Sequence, residues 1–253
     1  MTAAGLAWRA ERTGRNAWPA LRRVWLGDWQ LNFGEGLTRR ANSANPLRPD
    51  SRGSAALVDA CEALYAGQRQ PAIFRLPTIV DTALDRRLEA RGYTAEGESL
   101  VLYGDISAIA AAADPAVRLS AQPSGEWFAA MADLQGYSRQ QRRTYRRIVA
   151  ALAVPAVFAL LTVDGEAAAL AYGALSEGLL CCESVIADRR RRRQGFARRI
   201  VSSLAACSRE QGVEGVCLEV EATNLAALAL YHRIGLRTEL YRYHYRRQPR
   251  VGG

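Results

Sequence analysis

Glu183-Ser184-Val185-Ile186-Ala187-Asp188, five consecutive arginines from Arg189 to Arg193, and then Gln194-Gly195-Phe196-Ala197 form the stretch that decides how this chain reads. Its first part has strand character. From Phe196 onward, Phe196, Ile200, Val201, Leu204 and Ala205 recur at helical spacing, and the helix is over by Gly212. A strand that ends in a tight loop and starts a helix leaves several backbone N–H groups unpaired and pointing one way. Those donors, with the positive end of the helix dipole, suit a diphosphate. Gly195 and Ala197 matter by being small, because a phosphate approaches the backbone only where no bulky side chain intervenes. An arginine run without that setting would read as a solvated basic turn.

Working outward, the preceding residues alternate between apolar runs and turn signals. Ala156–Val163 ends at Asp164-Gly165, a two-residue hairpin signal, and Ala167–Leu175 is its partner strand. Leu179–Ala187 is the next strand. Downstream, Val216–Val220 is a strand, Asn224 precedes a short helix carrying Ala227, Leu230, Tyr231 and Ile234, and Gly235 ends it before a strand through Leu240–Tyr245. Ahead of these lie a short strand at Val117–Ala121 and helices at Glu126–Leu134 and Gln140–Ala151. This order predicts a mixed α/β domain over residues 115–253.

Of the 253 residues, 34 are basic, every one of them arginine, against 25 acids, for a net charge of +9. The missing lysine is read as a GC-rich coding background. Up to Ala113 there are 14 arginines and 12 acids (+2), and beyond it 20 and 13 (+7), so an anionic ligand is to be sought in the second half. Five cysteines show neither CxxC pairs nor zinc-ligand spacing with His232 and His244, which fits free thiols in a reducing compartment and no metal. The first 25 residues have no apolar signal core, and the longest apolar runs are too short to span a bilayer. The expectation is a cytoplasmic protein, a monomer or homodimer, with no membrane partner.

The pattern (Arg or Gln)-x-x-Gly-x-(Gly or Ala) after a strand, here Arg192-Arg193-Gln194-Gly195-Phe196-Ala197, resembles motif A of the GNAT superfamily of acyl-CoA-dependent N-acyltransferases. The Leu218-x-Val220 strand, Asn224, the Ala226/Ala227/Leu230/Tyr231 helix and Gly235-Leu236 follow in that family's order. The match runs from near Val117 to the last residue. It departs from the family in having Arg189 where proline is frequent, and in a shorter segment after Gly235 that leaves one long strand where two are usual.

The resemblance implies a mostly antiparallel sheet with splayed central strands flanked by helices, and acetyl-CoA as cosubstrate. Backbone amides of Arg193, Gln194, Gly195, Phe196, Ala197 and Arg198 would hold the pyrophosphate, with Arg192 at the motif's first position. Val185, Ile186 and Ala187 would pair with the pantetheine arm, and a backbone N–H there would polarise the thioester carbonyl. Asn224 would bond the pantetheine chain, and Tyr231 would protonate the departing thiolate. Apart from the family pattern, Tyr231 reads as a core residue beside Ala227 and Ile234. Glu183 is the first candidate for the base that deprotonates the amine, directly or through water, with Glu219 and Glu221 in reserve. Cys181 and Cys182 have no adjacent histidine to activate them, and both histidines read as structural.

Residues 1–110 repeat part of the order more weakly: hairpin strands Trp29–Phe33 and Thr38–Ser43, helix Ala55–Tyr65, strand Ala72–Leu76, helix Thr82–Arg91 and strand Leu100–Tyr103, with a boundary at Ile106–Pro115. Leu88-Glu89-Ala90-Arg91-Gly92-Tyr93 echoes Leu230–Leu236, but no phosphate-type loop is present. This half resembles a degenerate GNAT copy, a tandem arrangement known in the superfamily, for example in mycothiol synthase. It is expected to bind no CoA and to complete the acceptor side, with Trp25, Trp29 and Arg39–Ser43 as lining. Two other function classes stand beside the transferase: a CoA-binding regulator without turnover, and a nucleic-acid binder using Arg189–Arg193 with Arg142, Arg143, Arg146 and Arg147. A phosphate-backbone binder has no need of Asn224 or Tyr231, which argues against the last.

Overall fold

The computed structural model describes residues 2–109 and 112–249; Met1, Ala110 and Ala111 (the last two inside the expected boundary stretch) and residues 250–253 lie outside the described residues. First come α1 (Ala3–Ala17), β1 (Arg22–Leu26), β2 (Trp29–Phe33), β3 (Ala44–Pro46), α2 (Ala55–Ala66), β4 (Ile73–Pro77), α3 (Ala83–Ala90), β5 (Thr94–Asp105) and the short α4 (Ile106–Ile109). Then follow β6 (Val117–Ser120), α5 (Gly125–Gln135), α6 (Arg139–Ala150), β7 (Ala156–Val163), β8 (Glu166–Ser176) and β9 (Leu179–Ala187). The chain continues through α7 (Phe196–Arg209), β10 (Gly215–Glu221), α8 (Leu225–Ile234) and β11 (Thr238–Arg247). Every element expected beyond residue 115 is present, with ends shifted by a few residues, and one long strand follows Gly235. Among the described residues, no helix is long and apolar enough to cross a membrane.

Two compact units are present, and they are not consecutive halves of the sequence. Of the described residues, the larger contains 2–19, 101–109, 112–220 and 224–240; the smaller contains 20–100, 221–223 and 241–249.

In the larger unit the strand order is β5 (from Val101), β10, β9, β8, β7, β6. β6 to β9 form an antiparallel meander, and β9 pairs with β10 in parallel. Asp164 and Gly165 both take positive φ, +54° and +79°, the turn whose twist matches a tight hairpin. α7 buries Phe196, Ile200, Val201 and Leu204 against β7, β8 and β9. α1 and α5 cover the sheet face that carries Tyr172. The Trp127 indole of α5 donates to Ala159 O at 3.1 Å and meets Phe158 edge-on, with centroids 5.1 Å apart.

α1 was not expected from the sequence. The Thr2 hydroxyl caps it by accepting from Gly5 N at 3.2 Å, and its buried residues are Ala7, Ala10, Gly14 and Ala17 together with Thr13 and Glu11, the last paired with Arg15. Small side chains let it lie close on β8 and β9. The Tyr172 hydroxyl donates to Ala17 O at 2.6 Å, and the Arg9 guanidinium donates to Glu177 O at 2.6 Å and to Glu214 at 2.9 Å.

The smaller unit orders its strands β1, β2, β3, β4, β11, β5. Its core sets Trp29, Leu31, Phe33 and Phe74 from the strands against Val58, Cys61, Tyr65, Leu84 and Leu88 from α2 and α3. Three expectations need correction here. Thr38–Ser43 is a turn ending in a 3-10 segment (Arg40–Asn42), because the Asn42 carboxamide accepts from Gly34 N and Gly36 N at 2.8 and 3.0 Å and curls the backbone; the strand is β3, after it. Trp29, Asn42 and Ser43 are buried within this unit's own packing and do not form an open lining, whereas Trp25 on β1 is 72% exposed. β5 starts at Thr94, six residues before the apolar run that announced it. The reading of His244 as structural holds, since its Nε2 lies 3.0 Å from Asp85, which also accepts from Arg246.

Candidate functional site

The site begins where two strands part. β9 and β10 pair only through Leu179–Cys181 and Gly215–Cys217, so the rest of β9 has no strand beside it on that edge. Exposure rises at the same point: Leu179 to Glu183 are buried, and Ser184 to Ala187 are half-buried. The free edge is also deformed. Across β8, Glu183 faces Tyr172 and Ile186 faces Leu170, so Ser184 and Val185 oppose the single residue Ala171. That extra residue is a β-bulge, with Ser184 at φ +54°. The conformation costs a non-glycine residue about 1–2 kcal/mol. A hydrogen bond holds it, because the Tyr145 hydroxyl of α6 donates to Ser184 Oγ at 2.8 Å. Tyr145 is itself fixed among aromatic neighbours, stacked on Trp127 with centroids 6.2 Å apart and beside Trp18 and Tyr137. Nothing in the sequence announced the Tyr145–Ser184 pair. Ser is no marker of positive φ, and Tyr145 sits among arginines.

Past Ala187 the chain makes a 3-10 turn (Arg189–Arg191), with the Asp188 carboxylate accepting from Arg190 N at 2.9 Å. The Arg190 side chain, and then this backbone bond, hold the Asp188 carboxyl below the usual carboxylate range. Two of the five arginines are occupied: Arg190 pairs with Asp188 and Glu166, and Arg191 with Asp164 and Glu166. Arg189, Arg192, Arg193 and Arg198 have no side-chain partner among the described residues. Arg193 and Gly195 both take positive φ, +65° and +78°, which turns successive N–H groups toward one side. An added Cβ at Gly195 would meet nothing within 4 Å, so the space before the loop is open. The first N–H of α7 with a backbone acceptor is that of Arg199, on Gly195 O at 3.1 Å. The N–H groups from Arg193 to Arg198, Phe196 and Ala197 included, have no acceptor among the described residues. The result is a concentrated donor array with four guanidinium groups around it, those of Arg189, Arg192, Arg193 and Arg198, that have no partner among the described residues.

Asn224 caps α8, its Oδ1 accepting from Ala227 N at 3.2 Å, which leaves the exposed side-chain NH2 free to donate elsewhere. Tyr231, on α8, is buried, and its hydroxyl has no hydrogen-bond partner among the described residues. Burial, with the nearby Cys182 and Glu183, raises its phenol well above the ordinary value, so it stays protonated and able to donate. Glu183 is buried on β9, with the Cys181 thiol 3.8 Å from its Oε1. Of the reserve carboxylates, Glu221 is exposed and paired with Arg39 at 2.9 Å. Glu219 lies under α1, its Oε1 3.0 Å from where a Cβ at Gly14 would stand. All five cysteines are free thiols; Cys182 is fully buried and its pKa is pushed up by burial, which makes it a poor nucleophile. No group of His, Cys, Asp and Glu among the described residues could hold a metal ion.

The geometry therefore provides an open strand edge, a phosphate-type donor array at its end, and a neutral phenol with a buried carboxylate nearby. Similarity to known proteins points the same way. A family model described as "Probable histone acetyltransferase Rv0428c C-terminal" matches residues 8–246. A Bacillus subtilis protein described as an uncharacterized N-acetyltransferase, YobR, is 24% identical over 242 residues, covering 94% of this chain and 97% of its own length. A GCN5-related N-acetyltransferase from Kribbella flavida superposes with a TM-score of 0.71 at 17% identity, over 99% of this chain and 96% of that one. A tandem GNAT protein from the clavulanic acid biosynthesis pathway superposes with a TM-score of 0.65 at 12% identity, over 96% and 89%.

Proposed function

Because the chain belongs to the acetyltransferase family of the Rv0428c C-terminal model and has the GNAT fold, we propose that it transfers the acetyl group of acetyl-CoA to a primary amine within a ternary complex. The observation that carries this reading is the row of acceptor-less N–H groups at Arg193–Arg198 directly beyond the unpaired edge of β9.

In this scheme the amides and Arg192 bind the pyrophosphate, while Val185, Ile186 and Ala187 pair with the pantetheine arm as an added strand. The free NH2 of Asn224 donates to the same arm. The amine nitrogen attacks the thioester carbonyl, whose oxygen is held by a backbone N–H at the bulge. The C–S bond breaks, the thiolate takes the Tyr231 proton, and the amine gives up its own proton to Glu183, directly or through water. The smaller unit, which has no (Arg/Gln)-x-x-Gly-x-(Gly/Ala) loop, is read as a degenerate GNAT copy that binds no CoA.

The test is calorimetry with acetyl-CoA followed by thiol release over an amine panel. Tyr231→Phe should lower kcat by at least about 100-fold, the scale of a lost general acid, with acetyl-CoA affinity nearly intact. Unchanged kcat would remove Tyr231 from the acid role, and no acetyl-CoA binding would remove the function.

A further inference from the structure

A second recessed feature of the larger unit lies between α5 and α6. It is a pocket of about 110 Å³ lined by Phe128, Ala132, Tyr137, Arg142, Tyr145 and Arg146. Its walls are aromatic and its charge is entirely positive, for no acidic side chain lines it. The Arg146 guanidinium lies over the Phe128 ring, 4.5 Å from the centroid, and has no carboxylate partner among the described residues. Arg142 donates to Tyr137 O at 2.9 Å and to Asp133 at 3.1 Å. Both members of that ion pair are largely exposed, so the pairing is weak and can be exchanged for a ligand at little cost. The wall of this pocket is also tied to the transfer site. Tyr145, which forms one side of it, is the residue whose hydroxyl holds Ser184, immediately before the strand edge Val185–Ala187.

We propose that this pocket recognises the acceptor, taking the carboxylate of an amine that carries one. The inference rests on the N-acetyltransferase reading above and names its substrate class. A guanidinium braced on an aromatic ring, with a second one beside it, offers several N–H donors to a planar anion. Phe128, Tyr137 and Tyr145 give the intervening carbon chain an apolar surface. The volume is that of about four water molecules, enough for a carboxylate and the few carbons next to it. A cationic acceptor would meet the opposite field, since Arg139, Arg142, Arg143, Arg146 and Arg147 all project from α6.

Two matched series test this on the full chain with acetyl-CoA: 4-aminobutyrate, 1-butylamine and 1,4-diaminobutane, and their six-carbon counterparts. The amino acid should exceed the neutral amine in kcat/KM by about tenfold or more in at least one series, the scale of a charge-assisted hydrogen bond, and the diamine should be poorest. Arg146→Ala should collapse the acid-to-neutral ratio while KM for acetyl-CoA stays put. Equal use of all three, preference for the diamine, or an unchanged ratio in Arg146→Ala overturns the proposal. Should no amine be turned over, titration of 4-aminobutyrate and 1-butylamine into the acetyl-CoA-saturated protein decides it, and failure to bind the acid in preference overturns it. Acetyl-CoA binding, measured separately, tells failure of this pocket from failure of the transferase reading.

Discussion

The bulge in β9 gives a prediction whose magnitude follows from two contacts. Ser184 sits at φ +54°, and the hydroxyl of Tyr145, a side chain only 2% exposed, donates to it at 2.8 Å. Tyr145→Phe removes that bond while keeping the ring, and should cost about 1 kcal/mol. Ser184→Gly relieves a backbone cost of roughly 1–2 kcal/mol. It also strands the buried Tyr145 hydroxyl, a loss of about 1–3 kcal/mol, so the net effect is destabilising by about 1 kcal/mol. In the double variant the backbone is relaxed and no hydroxyl is stranded, so stability should return to within about 0.5 kcal/mol of the parent. The singles therefore couple by about 2 kcal/mol. Urea unfolding of the four proteins measures this, and kcat on the best amine should follow the same order, because the bulge carries the N–H that meets the acyl oxygen. Additive losses, with the double variant the least stable of the four, would refute the idea that this bond holds the bulge.

The arginine run makes a prediction that separates its members: Arg192→Ala should weaken acetyl-CoA binding about tenfold by calorimetry, while Arg191→Ala, whose guanidinium already serves Asp164 and Glu166, should change it less than threefold. Removal of residues 1–19 should lower the stability of the larger unit by several kcal/mol, read by thermal unfolding, because it uncovers the face of β8 and β9 that α1 buries. The raised Tyr231 phenol keeps its neutral form above the ordinary tyrosine value near 10, so the kcat profile should show no alkaline limb from this group up to about pH 10. An alkaline limb that disappears in Tyr231→Phe would contradict it.

What the sequence revealed, and what it hid, follows from how each element announces itself. The loop Arg192–Ala197, the strand before it and the Tyr231 helix were readable because apolar periodicity, glycine and turn residues fall at fixed offsets there. α1 escaped because its buried residues are alanines, a glycine, Thr13 and Glu11, with no large apolar side chain among them. The spacing Ala7, Ala10, Gly14, Ala17 was present, but small residues give little hydrophobic contrast against the arginines between them. β1 escaped because an exposed edge strand has no apolar alternation to show. The Thr38–Ser43 segment misled because Asn42 acts through its side chain on the backbone of Gly34 and Gly36, a bond that no propensity records. The occupied arginines of the run could not be sorted from the free ones without knowing that Asp164 and Glu166 come back beside them. Unit membership was illegible for the same reason, since it depends on contacts far apart in sequence.

That last point bears on synthesis. The bond from Tyr172 to Ala17 closes a separation of 155 residues within the larger unit, and the smaller unit takes in residues from 20 onward and from 241 onward. Neither unit can finish folding on a ribosome that has made only the first half of the chain. Each must hold early segments in waiting until late ones emerge, and contacts of such long range slow the search for the native state. Partly made chains would leave open the edge of β4 that later pairs with β11. A helix built from arginine and alanine suits the waiting well, since α1 presents few large apolar side chains to its neighbours before its strands arrive.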